Sequence, residues 1–121
     1  MDISQAITVM KKNPEFTQNV GMILVHNGVV RAWSRQSHEQ VAYLEVTPDQ
    51  QKVEEIRQEF LQREGIFDII IEAKEGRFQP GDDLLYIIVA GDIRENVKPA
   101  LADLLDRIKG EAIIKKEVVT A

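Results

Sequence analysis

Lysine and arginine, fifteen in this sequence, are the side chains able to act on an anion, and Arg31, Arg94, Lys109, Lys115 and Lys116 are among them. A lysine ammonium can polarise a carbonyl, move protons, or attack as a nucleophile where neighbouring cations lower its pKa. A guanidinium presents paired planar donors that suit a phosphate or a carboxylate tail. Residue type alone also supports plainer roles. Lys109 falls near the end of a helical pattern, where a cation gains a few tenths to about 1 kcal/mol from the macrodipole. Arginines are more often surface residues, and Asp92 stands close enough to Arg94 to pair with it. Lys115 and Lys116 are consecutive in an extended segment, so they point to opposite faces and only one of them can enter a given pocket.

Other chemistries are excluded by what is missing. Cysteine is absent from the 121 residues, which removes disulfides, a thiol nucleophile, thiolate metal sites and any persulfide carried on this chain. His26 and His38 are the two imidazoles, and their spacing matches no zinc site, so no metal is expected. A formal charge of −5 argues against broad nucleic-acid binding, although local basic clusters can still hold one small anion. The longest apolar run, Leu84 to Ala90, falls well short of the roughly 20 residues of a membrane-spanning helix. The start, with Asp2, Lys11 and Lys12 among polar residues, lacks the order of a secretory signal, so a cytoplasmic location is expected.

The elements that must position these cations follow from periodicity. Ile3, Ala6, Ile7 and Met10 predict a short amphipathic helix that stops at Asn13-Pro14. Val20 to Val25 reads as a buried strand, His26-Asn27-Gly28 as a turn, and Val29 to Trp33 as a second apolar stretch, giving a hairpin or one long bent strand. A polar loop from Ser34 to Gln40 leads into a strand over Val41 to Val46, expected to pair with the preceding one. Thr47, Pro48 and Gln50 suggest a capped helix start, and Val53, Ile56, Phe60 and Leu61 mark one face of a helix that ends at Gly65. Strands are expected over Phe67 to Ala73 and Leu84 to Ala90, with a turn at Pro80-Gly81-Asp82. Asn96, with Pro99 in the first turn, opens a helix closed by Gly110, and Ala112 to Val119 forms the last strand. Residues 1–121 thus predict a single α+β domain with a mixed, largely antiparallel sheet.

Three stretches in this order resemble the catalytic (large) subunit of molybdopterin synthase. They are Gly21-Met-Ile-Leu-Val-His-Asn-Gly28-Val-Val-Arg31, then Gly76-Arg-Phe-Gln-Pro-Gly81-Asp82, then Asp106-Arg-Ile-Lys109 with Ile114-Lys115-Lys116-Glu117. The resemblance implies an α/β-hammerhead-like fold and a homodimer core of a heterotetramer. At each end of that core sits a small ubiquitin-like sulfur-carrier subunit whose C-terminal Gly-Gly thiocarboxylate enters a pocket of the large subunit. It implies sulfur transfer to a pyranopterin phosphate substrate in molybdenum cofactor biosynthesis, with no resident cofactor on this chain. By the same resemblance Lys109 is catalytic, Lys116 or Lys115 assists, and Arg31 and Arg94 bind substrate. Spacing from Lys109 favours Lys116 as the second family lysine, whereas the Ile-Lys-Lys-Glu pattern favours Lys115 with one residue deleted from the preceding loop; both stay candidates.

The sequence also departs from the family. Ile93 stands where the family has histidine before the arginine, and isoleucine neither donates, accepts nor shuttles a proton. Leu105 replaces a common methionine, and the sequence ends at Ala121, before the basic residues of a longer C-terminal segment. These differences motivate a second expectation, a diverged non-catalytic relative that binds the small subunit as an assembly module. Apart from the resemblance, the chain reads as a small α+β dimerisation or ligand-binding domain whose lysines keep it in solution. Trp33, Phe78 and Tyr86 could stack on a pterin, but strand aromatics are more often core or interface residues.

Overall fold

The computed structural model describes residues 1–120. In chain order the elements are α1 (Ile3–Lys11), α2 (Phe16–Asn19), β1 (Met22–Val29), β2 (Val41–Pro48), α3 (Gln50–Leu61), β3 (Ile66–Ala73), β4 (Gly76–Phe78), β5 (Asp83–Gly91), α4 (Arg94–Arg107) and β6 (Ile113–Val119). A π-helical turn over Ile108–Ala112 joins α4 directly to β6. The strands form two three-stranded sheets, ordered β1-β5-β3 and β4-β2-β6, and every pairing is antiparallel. The fold is therefore α+β. Among the described residues no helix is long and apolar enough to cross a membrane.

β5 explains why Leu84 to Ala90 is apolar without alternation. Leu85, Ile87 and Val89 face the main core, while Ile88 and Ala90 face a second cluster under α1, and all five are fully buried. A strand covered on both faces has no polar side to display. The main core is closed by Val53, Ile56 and Phe60 from α3, Val97 and Leu104 from α4, and Leu44 and Val46 from β2. On the other face Met10 of α1 packs with Ile88 and Ala90, and Phe16 meets Phe67 edge-on with ring centroids 5.9 Å apart.

Several expected boundaries move, each for a physical reason. His26-Asn27-Gly28 is not a turn: these residues stay in β1 and pair with Ile87, Tyr86 and Leu85 of β5, and a register shift follows at Val29. Because β5 supplies the partner, β1 forms no hairpin with the stretch that follows: Val29 is its last residue, opposite Asp83, and beyond it the chain leaves the sheet, with Trp33 keeping only an isolated bridge to Gln40. β2 likewise pairs with β4 and β6, not with the strand before it. Thr47 and Pro48 belong to β2, since pairing with β6 continues to Pro48 opposite Ile113. The cap of α3 is Asp49, whose carboxylate accepts from the Lys52 amide at 3.1 Å.

α4 begins two residues earlier than Asn96, because the carbonyl of Ile93 already accepts from the amides of Asn96 and Val97. Pro99 consequently lies in the second turn, where it leaves the Glu95 carbonyl without its helical donor. Gly65 does end the segment after α3, at φ 77°; a side chain there would collide with Asp92 and Asn96. Gly110 does not end α4. The π turn carries the chain through it, so that Ile108 and Ala112, four residues apart, both remain in the core.

Candidate functional site

A cleft of about 380 Å³ opens where the end of β1 meets the π turn and β6. Its walls include Gly28 to Arg31, Arg35 and Gln36 of the following loop, Leu44, Leu84, Lys109, Lys115 and Glu117. Four cations and one carboxylate thus face a common space on a chain whose formal charge is −5. Charge concentrated in a concave, partly apolar site focuses the local potential and favours an anionic ligand.

Each wall is held by identifiable bonds. Val30 donates to the Asp82 carbonyl at 2.9 Å, and Gly81 donates back to the Val30 carbonyl at 2.9 Å, so the Pro80-Gly81-Asp82 turn clamps the chain just before Arg31. The 32–41 loop closes on itself through Val41 to the Ala32 carbonyl (2.9 Å) and Ser34 to the Glu39 carbonyl (2.8 Å). Its hydroxyl-bearing corner, Ser34, is buried and donates through Oγ to Glu117 at 3.0 Å, which docks the loop onto β6. Arg31 lies 3.9 Å from the other carboxylate oxygen of Glu117, and its guanidinium stands 5.3 Å from the centre of the Trp33 ring. The π turn is anchored to α3 by the ion pair of Glu111 with Lys52, and the end of α4 just before it by that of Arg107 with Glu59.

The five expected site residues separate clearly. Arg31, Lys109 and Lys115 line the cleft together. Lys115 and Glu117 sit opposite Val46 and Leu44, on the core-facing side of β6, whereas Lys116 sits opposite Glu45 on the outer face. Lys116 is therefore turned away from the cleft by strand alternation. Arg94 is also elsewhere, on the first turn of α4, 78% exposed and 3.4 Å from Glu95. Asp92 does not pair with it; that carboxylate accepts from the Ile93 amide at 2.6 Å and from Asn96 at 2.9 Å. Ile93 is the exposed cap residue of α4 and lines no part of the cleft. Trp33, Phe78 and Tyr86 are not lining residues either: Phe78 packs against the main core, and Tyr86 is buried with its hydroxyl on Asp83 at 2.8 Å.

Residue types alone did not single out Arg35, Gln36 or Glu117. Glu117 carried a usable signal, since it lies two residues beyond Lys115 and must share its strand face. A second overlooked group is His26. It shares a face of β1 with Gly28, its Nε2 is buried without a hydrogen-bond partner, and a side-chain carbon on Gly28 would stand 3.2 Å from that nitrogen.

The electrostatics follow from this crowding. Desolvation and the charges of Lys109 and Arg31 hold Lys115 below the usual lysine value, with Arg35 adding to the effect and Glu117 opposing it. Burial, then the charge of Lys109, pushes His26 below its ordinary value, so the imidazole is neutral at pH 7. The cleft can grip a phosphate or carboxylate with several donors, and it offers in Lys115 an ammonium that releases its proton more readily than a free lysine.

The family model for the MoaE protein matches residues 1–111. Among solved structures, the fold is similar to molybdopterin synthase from Staphylococcus aureus, with a TM-score of 0.72 and 26% identity over 84% of this chain and 76% of that one. It is also similar to the molybdopterin biosynthesis MoaE protein from Burkholderia ambifaria (TM-score 0.76, 24% identity, 97% and 76% covered). A third similar structure is a complex of subunits 1 and 2 of molybdopterin-converting factor from Helicobacter pylori (TM-score 0.70, 15% identity, 98% and 80% covered). At those lower identities the last two bear on the fold alone. No curated protein matches the chain closely enough to count as a relative. With the family model spanning nearly its whole length, the chain belongs to the MoaE protein family.

Proposed function

We propose that this chain is the catalytic subunit of a molybdopterin synthase, working in molybdenum cofactor biosynthesis in the cytoplasm. In this reading it transfers sulfur from the C-terminal thiocarboxylate of a small ubiquitin-like subunit to a cyclic pyranopterin monophosphate. The observation that carries it is the convergence of Arg31, Arg35, Lys109 and Lys115 on one cleft of an otherwise acidic chain. Both reactants are anions, and each presents oxygen or sulfur atoms that ammonium and guanidinium groups bind well.

The roles follow from position. Arg31 and Arg35, on the loop side, hold phosphate or carboxylate oxygens through paired donors. Lys109, on the π turn, polarises the thiocarboxylate carbonyl, so that negative charge developing on its oxygen during sulfur loss is met by a fixed cation. Lys115, with its lowered pKa, exchanges protons with the reacting pterin or with the water that replaces sulfur on the tail. Lys116 and Arg94 do not line this cleft, so the assisting role falls to Lys115 and the substrate-binding role to Arg31. A homodimer with a small subunit at each end completes the proposed assembly.

Single-turnover conversion of cyclic pyranopterin monophosphate with the thiocarboxylated small subunit tests the proposal. Conversion by the wild type that collapses in Lys109→Ala supports sulfur transfer in this cleft. Tight binding of the small subunit without any product from the wild type refutes it and favours the assembly module instead.

A further inference from the structure

His26 occupies a position that an apolar side chain would fill more cheaply. It is partly buried in β1 opposite Ile87, yet its Nε2 is shielded from water and bonded to nothing. An unpaired buried polar atom costs about 1–3 kcal/mol, so such an atom calls for a partner. Gly28, on the same strand face, lines the cleft, and the lack of a side chain there leaves room beside Nε2 that a methyl group would take at 3.2 Å. Lys109 is the charged group whose field reaches the ring; Arg31, Arg35, Lys115 and Glu117 line the cleft beyond it.

We propose that His26 is a positioning residue for Lys109: a neutral imidazole, protonated on Nδ1, whose Nε2 accepts from the Lys109 ammonium once that side chain turns onto it. The ammonium has three donors and no acceptor capacity, so a bare ring nitrogen under the cleft floor fixes one donor and leaves two for the ligand. The neutral state of the ring at pH 7 agrees with this role, since an imidazolium would repel the ammonium. His26 itself touches no reacting atom. The inference rests on the reading of this cleft as the reaction site.

Histidine NMR on the full chain tests the pairing without turnover, with His38→Gln assigning the second imidazole. The expected spectrum at pH 7 shows one neutral tautomer with the proton on Nδ1, and Lys109→Met moves the His26 midpoint upward. A proton on Nε2, or a midpoint indifferent to Lys109→Met, overturns the proposal. In the sulfur-transfer assay His26→Phe lowers kcat on the order of ten- to a hundredfold with little change in KM, the scale set by misplacing a reacting group by about 1 Å. His26→Gln, whose amide oxygen can take the place of Nε2, recovers part of the loss. Unchanged kcat in a folded His26→Phe protein also overturns it. If the wild type transfers no sulfur, the proposed reaction fails, while the spectra still decide the pairing.

Discussion

Glu117 is the one carboxylate among the lining residues of a cleft with four cations, and replacing it by glutamine isolates its charge. The Glu117→Gln side chain keeps an oxygen able to accept from Ser34 Oγ, so the 32–41 loop stays docked; only the negative charge is lost. At the 3.9 Å separating Arg31 from Glu117, two unit charges interact by about 1 kcal/mol in water and about 4 kcal/mol at an effective dielectric of 20. Both side chains are more than one-third exposed, which places the real value toward the lower end. An incoming phosphate that no longer meets this carboxylate should therefore gain about 1 kcal/mol, roughly a fivefold tighter Kd. Calorimetric titration with inorganic pyrophosphate, at low and at high salt, reads the change. The gain should shrink at high salt as the screening length falls from about 30 Å at 0.01 M to about 3 Å at 1 M. Removing the charge of Glu117 also removes the one influence that raises Lys115, whose midpoint should move further down. Unchanged or weaker pyrophosphate binding by a folded Glu117→Gln protein would refute the view that this cleft selects anions by charge.

Further expectations address the other parts of the site. Lys109→Ala should weaken pyrophosphate binding severalfold, whereas Lys116→Ala and Arg94→Ala should stay within about twofold of wild type, because exposed charges outside a cleft are weakly felt at physiological salt. Ile108→Ala should cost about 2–5 kcal/mol in urea unfolding, since this side chain is fully buried where the π turn begins. His26 should give stability a specific pH dependence. Its folded pKa lies below the ordinary value near 6.5, so the unfolded chain binds more protons between those two values. Stability contributed by the neutral ring is complete above that interval and falls as pH drops through it. Subtracting the profile of His26→Gln from that of wild type isolates the effect; a flat difference would contradict it.

How far the sequence foretold this arrangement depended on whether neighbours in the chain were also neighbours in space. α1 was legible because Ile3, Ala6, Ile7 and Met10 bury one face against a sheet, which is a local pattern. The Asn27-Gly28 pair misled because a hairpin signal assumes that the next segment returns along the first, and the partner of β1 is instead β5, nearly sixty residues on. The start of α3 misled for the same reason: Pro48 is kept in β2 by its pairing with β6, which the capping pattern around Thr47 cannot report. At the site, family resemblance picked out Arg31, Arg94 and Lys109; the structure brings Arg31 and Lys109 to one cleft and leaves Arg94 exposed at the start of α4. It could not choose between Lys115 and Lys116, because that choice depends on which face of β6 meets Leu44 and Val46. Arg35 and Gln36 were hidden in a polar loop that gives no pattern, and His26 was masked by the supposed turn.

The π turn sets a rule for which insertions and deletions this chain can tolerate. No loop separates α4 from β6, so Lys109 and Lys115 sit on one continuous stretch with no slack between them. One residue added near Gly110, where a side chain would meet open space, would advance β6 by a single position while its pairing with β2 is kept. Strand faces alternate, so that insertion would exchange the two lysines, sending Lys115 outward and Ile114 and Lys116 inward. A one-residue change of length between these two lysines is therefore never neutral, because it decides which of two adjacent side chains enters the cleft, whereas the solvent-exposed turns carry no such constraint.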